Sequence, residues 1–371
     1  MLNNDAEPIH VWSYLREYEA LRGEVLETVD KVFRSGRLIL GECVAKLEQE
    51  VADFVQVLGA VGVNSGTDAL HLGLVALGIK PGDEIITVPN TAVPTVCAIV
   101  NAGAKPVFVD VNAQDYLIDV EQITDAITPQ VRAILPVHLY GQCCAMDIVN
   151  AIAKKHGLFV LEDCAQSFGA LQDNKPSGSL GDAAAFSFYP TKLLGGYGDG
   201  GLFASNNADY NARLRSLRMY GMQGSYYSER HGFNSRLDEV QAAILSLKLA
   251  YIEIWINRRR EIAARYSEGL SGTGLSLPSE NTGNRHVYYL YVVEHPDRDR
   301  LIERLADSNI HCNVSYPFPI HTMRGYDYLG YVQGQFPVSE AKASRILSLP
   351  MFPYLSDAEV ERVIEALKRV A

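Results

Sequence analysis

The chain has 371 residues, 47% hydrophobic and 21% charged, the composition of a folded protein with room for one large or two ordinary domains. Its 33 basic and 44 acidic residues leave a formal net charge of −11, which argues against nucleic acid as a general partner and obliges any phosphate-rich ligand to find a local site. Residues 1–7 are mostly polar and no apolar run approaches about 18 residues, so neither a targeting segment nor a membrane span is expected, and a cytoplasmic location follows.

In chain order, the first informative stretch is Val63-Asn64-Ser65-Gly66-Thr67-Asp68-Ala69-Leu70, where small residues open an apolar helix running through Leu72, Leu74 and Leu77. Free backbone N–H groups and the positive dipole end there suit a phosphate, although Ser65 and Thr67 read equally as ordinary N-cap residues. Strands are predicted at 84–88, 107–110, 133–137, 158–162, 183–188 and 202–204, with helical stretches at 92–102, 120–128 and 146–156. Several of these strands are continuous apolar runs, the pattern of a parallel sheet covered on both faces. Ligands of such sheets bind beyond the carboxyl ends of the strands, the edge to which Asp163 and the residues after Val137 belong.

After Arg236 the character changes. Residues 237–265 read as one long helix or a bent pair, followed by the Ser271-Gly272-Thr273-Gly274 loop, a β pattern at 287–293, a helix at 300–308, the extended Tyr316-Pro317-Phe318-Pro319 and helices at 339–348 and 357–371. This divides the chain into a large domain, 1–245, and a smaller α+β domain, 246–371.

Two segments carry chemistry. The strand Leu158-Phe159-Val160-Leu161-Glu162 ends on Asp163, a carboxylate that reads either as a simple strand end or as the anion that pyridoxal phosphate requires against its ring nitrogen. Lys192 follows Pro190-Thr191 and precedes five glycines within residues 195–201. Burial among close-packed backbone disfavours an ammonium and yields an amine able to form an imine, whereas an exposed lysine entering a glycine loop would carry no such role. The six cysteines show no paired CxxC spacing for zinc and read as reduced thiols, with Cys143 and Cys144 adjacent but lacking an assigned base. Arg213, Arg215 and Arg218, or Arg258-Arg259-Arg260, are the groups available for a basic patch, or else solvated helix faces.

In sum these segments resemble the fold type I sugar aminotransferases often called the DegT family. The resemblance runs nearly end to end, through Ser65-Gly66-Thr67-Asp68-Ala69-Leu70, Pro136-Val137-His138-Leu139-Tyr140-Gly141, Glu162-Asp163-Cys164-Ala165-Gln166 and Pro190-Thr191-Lys192 with Gly198-Asp199-Gly200-Gly201. It continues in Gly232-Phe233-Asn234-Ser235-Arg236, Gln241-Ala242-Ala243, Tyr316-Pro317 and His321. It implies an α/β fold with a mainly parallel seven-stranded sheet flanked by helices. The implied cofactor is pyridoxal 5'-phosphate, and no metal is implied. The implied reaction moves an amino group from an amino acid, usually glutamate, to a nucleotide-linked keto-6-deoxyhexose.

Carried over by position, Lys192 holds the cofactor and shuttles the proton, Asp163 pairs with the ring nitrogen, Gln166 contacts the phenolic oxygen, and Gly66, Thr67 and Ser187 hold the phosphate. The Asn234 equivalent reaches the phosphate of a second subunit, which implies a homodimer with shared active sites. Tyr189, Tyr220, Tyr316 and His321 are sugar-binding candidates or packing residues. One departure is visible: Ala92 stands in Asn90-Thr91-Ala92-Val93-Pro94-Thr95 where relatives place an aromatic ring over the cofactor, leaving His138 as the nearest substitute. The same segment most resembles members that aminate C3 of a dTDP-3-keto-6-deoxyhexose. Amination at C4 of a dTDP- or UDP-4-keto sugar and a non-enzymatic regulator binding the cofactor stay open. Lys192 opposes the dehydratase relatives, which carry histidine there, and no GxGxxG opens a Rossmann fold.

Overall fold

The computed structural model describes residues 7–224 and 226–370. Seven strands form the central sheet: β1 Gly59–Val63, β2 Glu84–Thr87, β3 Lys105–Phe108, β4 Val131–Ile134, β5 Phe159–Asp163, β6 Ala183–Ser187 and β7 Gly201–Ser205, in the order β1-β7-β6-β5-β4-β2-β3. Only β7 runs against its neighbours, pairing antiparallel with β1 and β6, while β2 to β6 pair in parallel. The apolar runs have the expected cause: Ile85, Ile86, Ile134 and Leu161 are each 0% exposed, because helices cover both faces of the sheet.

The helix Gly66–Leu77 begins where β1 ends. Ser65 caps it by accepting from the Asp68 amide at 3.1 Å, and Gly78 closes it in the left-handed conformation. The turn between them lies hard against β6 and β7. A side chain at Gly66 would meet Ser187 Cβ at 2.7 Å, and one at Gly201 would meet the Ser65 carbonyl oxygen at 2.2 Å.

Buried carboxylates serve helices to which they do not belong. Glu239 accepts from the amides of Gly41, Cys43 and Val44 at 2.8 to 2.9 Å, capping the helix Glu42–Phe54, whose own N-cap residue is a glycine. Asp110, just past β3, accepts from the amides of Val338 and Ser339 at 2.9 Å and so caps the helix Pro337–Arg345.

Residues 237–265 form the bent pair, Glu239–Leu249 and Ile252–Gly269. Three expectations are corrected. The helix predicted at 120–128 is a short α turn, Val120–Ile123, continued as a 3-10 turn, Thr124–Ala126. The β pattern at 287–293 is a strand only at β8 Tyr291–Glu294, because Tyr288 takes a φ of 46° and breaks the extended run. The predicted helix at 339–348 ends at Arg345, since Ile346–Leu349 forms β9 and pairs antiparallel with β8. Around that pair a second core gathers Ile262, Tyr266, Leu301, Leu305, Val363 and Leu367, and it includes Ile9 from the start of the chain. No helix among the described residues is long and apolar enough to cross a membrane.

Candidate active site

The carboxyl ends of β1, β5 and β6 and the start of β7 meet at one edge of the sheet, where a cavity of about 530 Å³ opens. Its lining joins Gly66, Thr67, Asp163, Gln166, Ser187 and Lys192, residues scattered over more than a hundred positions of the sequence. Gly66 and Thr67 supply the first amides of a 12-residue helix, which have no partner within it, beside the Ser187 hydroxyl. The close packing that forbids a side chain at Gly66 is what lets an anion approach that backbone.

Asp163 is 4% exposed. Its Oδ2 accepts from Thr95 Oγ1 at 2.8 Å and its Oδ1 from the Ala165 amide at 3.1 Å. Burial pushes this carboxyl up, and the Thr95 hydroxyl, the Ala165 amide and the charge of Lys192 pull it back. A cation placed against its free lone pairs would complete the balance.

Lys192 is half-buried, and its Nζ lies 4.6 Å from the centroid of the Tyr289 ring. Tyr289 is tied in turn to the neighbouring Thr191, with 3.0 Å between hydroxyls. A cation over a ring face gains about 0.5–2 kcal/mol, so the Tyr289 ring helps hold this side chain in place. The glycine loop behind it is pinned from the helix Glu239–Leu249: Gln241 accepts from the Tyr197 amide at 3.0 Å, and the buried Lys248 donates to the Gly195 carbonyl. Gln166 is oriented at both ends, accepting from the Tyr140 amide at 2.8 Å and donating to the Tyr316 hydroxyl at 2.9 Å. Its second N–H remains for a ligand.

Helix dipole and amides for a phosphate, a carboxylate for a ring nitrogen and a lysine for a carbonyl carbon together fit pyridoxal phosphate. Aromatic side chains wall the opening: Tyr189 and Tyr316, expected from sequence, and Trp12, Tyr14 and Tyr289, which were not. Tyr14 is pushed up to about 12 by partial burial and by the nearby Tyr189 and Tyr289. No motif surrounds Trp12 and Tyr14, and Tyr289 stood inside a presumed strand, so no sequence signal marked them.

Other expected residues lie elsewhere. His138 does not face the cavity. It is fully buried, its Nδ1 accepts from the Cys144 amide at 3.1 Å, and its Nε2 lies 2.9 Å from Glu162, to which it therefore donates. Ala92 lines the cavity with its small side chain, and His138 cannot replace the missing ring. His321, 2% exposed, bonds Glu340 at 3.0 Å and packs edge-on against Phe336, outside the lining, the packing alternative that its sequence position had left open. Tyr220 and Asn234 are also absent from the lining. Both are exposed on a loop closed by the Met219–Asn234 bridge.

Neither arginine group forms a basic patch in the cavity. Arg215 and Arg218 bind Glu48, and Arg213 donates to the Ala76 carbonyl. Arg258 bonds Asp357, Arg259 donates to backbone carbonyls including those of Tyr288 and Met351, and Arg260 bonds Glu280. Burial pushes the Cys143 and Cys164 thiols up to about 12, so neither supplies a thiolate.

Residues 19–368 match the sequence profile of the DegT/DnrJ/EryC1/StrS aminotransferase family. The chain is 50% identical to the dTDP-3-amino-3,4,6-trideoxy-alpha-D-glucose transaminase of Micromonospora megalomicea subsp. nigra, over 97% of this chain and 98% of that one. It is 44% identical to the dTDP-3-amino-3,6-dideoxy-alpha-D-galactopyranose transaminase of Aneurinibacillus thermoaerophilus, over 93% and 95%. The fold superposes on S. venezuelae DesV, solved in complex with a ketimine intermediate, with a TM-score of 0.97, 39% identity and 98% of each chain covered.

Proposed function

This chain belongs to the DegT/DnrJ/EryC1/StrS aminotransferase family, and from that premise we propose that it moves an amino group from L-glutamate to C3 of a dTDP-linked 3-keto-6-deoxyhexose. The observation that carries this reading is the convergence of Lys192, Asp163 and the Gly66–Thr67 turn on one cavity with an aromatic mouth. Similarity to two transaminases named for dTDP-3-amino sugars supports the carbon and the carrier.

Pyridoxal phosphate is the cofactor, and when bound it supplies an electron sink for the carbon that loses a proton. The chain's own residues do the rest. The amides of Gly66 and Thr67 and the Ser187 hydroxyl hold the phosphate at the helix N-terminus. Asp163 keeps a proton on the ring nitrogen by offering a fixed negative charge. Gln166, clamped between Tyr140 and Tyr316, directs its free N–H to the phenolic oxygen. Lys192 would hold the cofactor through its carbonyl carbon and would carry a proton at Nζ between the substrate carbon and the cofactor carbon; the Tyr289 face holds that nitrogen in place. Tyr189 and Tyr316, with Trp12 and Tyr14, receive the sugar and its carrier.

The working unit is a homodimer in which Asn234 of one subunit reaches the phosphate bound by its partner, and the exposed Tyr220 on the same loop faces the partner's sugar. Their absence from the lining of their own cavity supports this arrangement. Six free cysteines accord with a cytoplasmic setting.

The reading is tested by incubating the enzyme with pyridoxal phosphate, L-[15N]glutamate and a dTDP-3-keto-6-deoxyhexose and locating the new amine by NMR. Label bonded at C3 is expected. Label at C4 after supply of a 4-keto sugar, with none at C3 from the 3-keto sugar, would overturn the assigned carbon.

A further inference from the structure

The segment that lacks an aromatic ring at Ala92 carries two buried hydroxyls instead. Thr91 and Thr95 are each 1% exposed, and both border the cavity at the start of the helix Val93–Asn101. Thr95 Oγ1 lies 2.8 Å from Asp163 Oδ2, and Thr91 Oγ1 lies 2.8 Å from Thr95 Oγ1. An ionised carboxylate only accepts, so the Thr95 proton is committed to Asp163. The Thr91–Thr95 contact must then be donated by Thr91. The two hydroxyls form a directional relay, Thr91 to Thr95 to Asp163, in which each bond polarises the next.

The surroundings leave Thr95 as the only side-chain donor to this carboxylate among the described residues. The other titratable groups facing it are Lys192, His138 and Tyr316; none hydrogen-bonds to it, and the remaining donor is the Ala165 amide. Glu162, its neighbour in β5, points to the other face, where it accepts from Gly178, Leu180 and Gly181.

We propose that Thr95, polarised by Thr91, is a positioning residue that decides on which side of the hydrogen bond between Asp163 and the cofactor's ring nitrogen the shared proton rests. Donation to Oδ2 spreads the carboxylate's charge and weakens its hold on a proton, so the proton stays on the ring nitrogen, where the electron sink needs it. It also fixes the rotation of the carboxylate, one donor on each oxygen, leaving lone pairs directed at the cavity. The inference rests on Asp163 being the partner of the ring nitrogen and adds the residues that tune it.

The experiment loads wild-type and variant enzymes with pyridoxal phosphate labelled with 15N in the ring and records the ring nitrogen resonance against pH. Thr95→Val, close in shape but without a donor, is expected to move the resonance toward that of neutral pyridine and to slow the half-reaction with L-glutamate by about tenfold or more, the ratio a hydrogen bond to a charged group supports. Thr95→Ser restores both. Thr91→Val shifts the resonance in the same direction by less, and because Thr91 does not touch Asp163 it carries the test should Thr95→Val fold poorly. A wild-type resonance in both valine variants, with a moved resonance in Asp163→Asn, would overturn the relay while leaving Asp163 as the ring's partner. An unmoved resonance in Asp163→Asn as well would remove the premise together with the relay.

Discussion

Lys192→Ala is expected to leave a folded protein without visible colour and with activity reduced by at least about four orders of magnitude, the upper range for loss of a positioned acid–base group. Folding survives because the side chain is half-buried and rests on the face of the Tyr289 ring. Chemistry does not, because no other lysine among the described residues lines the cavity. Absorbance of the purified variant and glutamate-dependent amino transfer check both parts. The variant also tests the shared site. Mixed and refolded with an inactive Asn234→Asp chain, it should recover about a quarter of wild-type activity, since statistical mixing of a two-fold dimer makes half of the dimers mixed and gives each one intact composite site. Zero recovery in confirmed mixed dimers would place the whole site within one chain.

Asp163→Asn should retain cofactor and fold, since its amide oxygen can accept from the Ala165 N–H while its NH2 donates to Thr95 Oγ1, yet slow the half-reaction with glutamate by about two to three orders of magnitude, the usual cost of removing a fixed electrostatic group at a reacting centre. The loss is electrostatic: asparagine supplies no negative charge, so the ring nitrogen gives up its proton. Stopped-flow traces decide it, and an unchanged rate would return Asp163 to the role of a strand-end carboxylate.

What the sequence made legible depended on how local the cause was. The parallel strands were readable because burial on both faces writes itself as short apolar runs, as in Ile85-Ile86 or Val160-Leu161. The turn at Ser65-Gly66 was readable because a cap and an obligatory glycine are local requirements. The antiparallel pairing of Tyr291 with Leu349 was not, because a strand whose partner lies far along the chain has no local mark, and Ile346 to Leu349 continue smoothly from a helix.

The site divides in the same way. Lys192, Asp163 and Gln166 sit in recognisable motifs, while Thr95, Trp12, Tyr14 and Tyr289 reach the cavity through packing alone. His138 and His321 show the converse. Each stands in a motif, yet its ring bonds a carboxylate, the buried Glu162 or the partly exposed Glu340. The arginine runs were equally opaque, because whether a guanidinium meets solvent, a phosphate or Glu48 is settled only by the tertiary fold.

The claim on which the account turns is that Lys192 is the nitrogen that holds the cofactor in this cavity. Borohydride reduction of the coloured enzyme, followed by peptide mass mapping, measures this most directly. A single phosphopyridoxyl group on the peptide bearing Lys192 is the predicted result, and label on a different lysine, or on none, would contradict it.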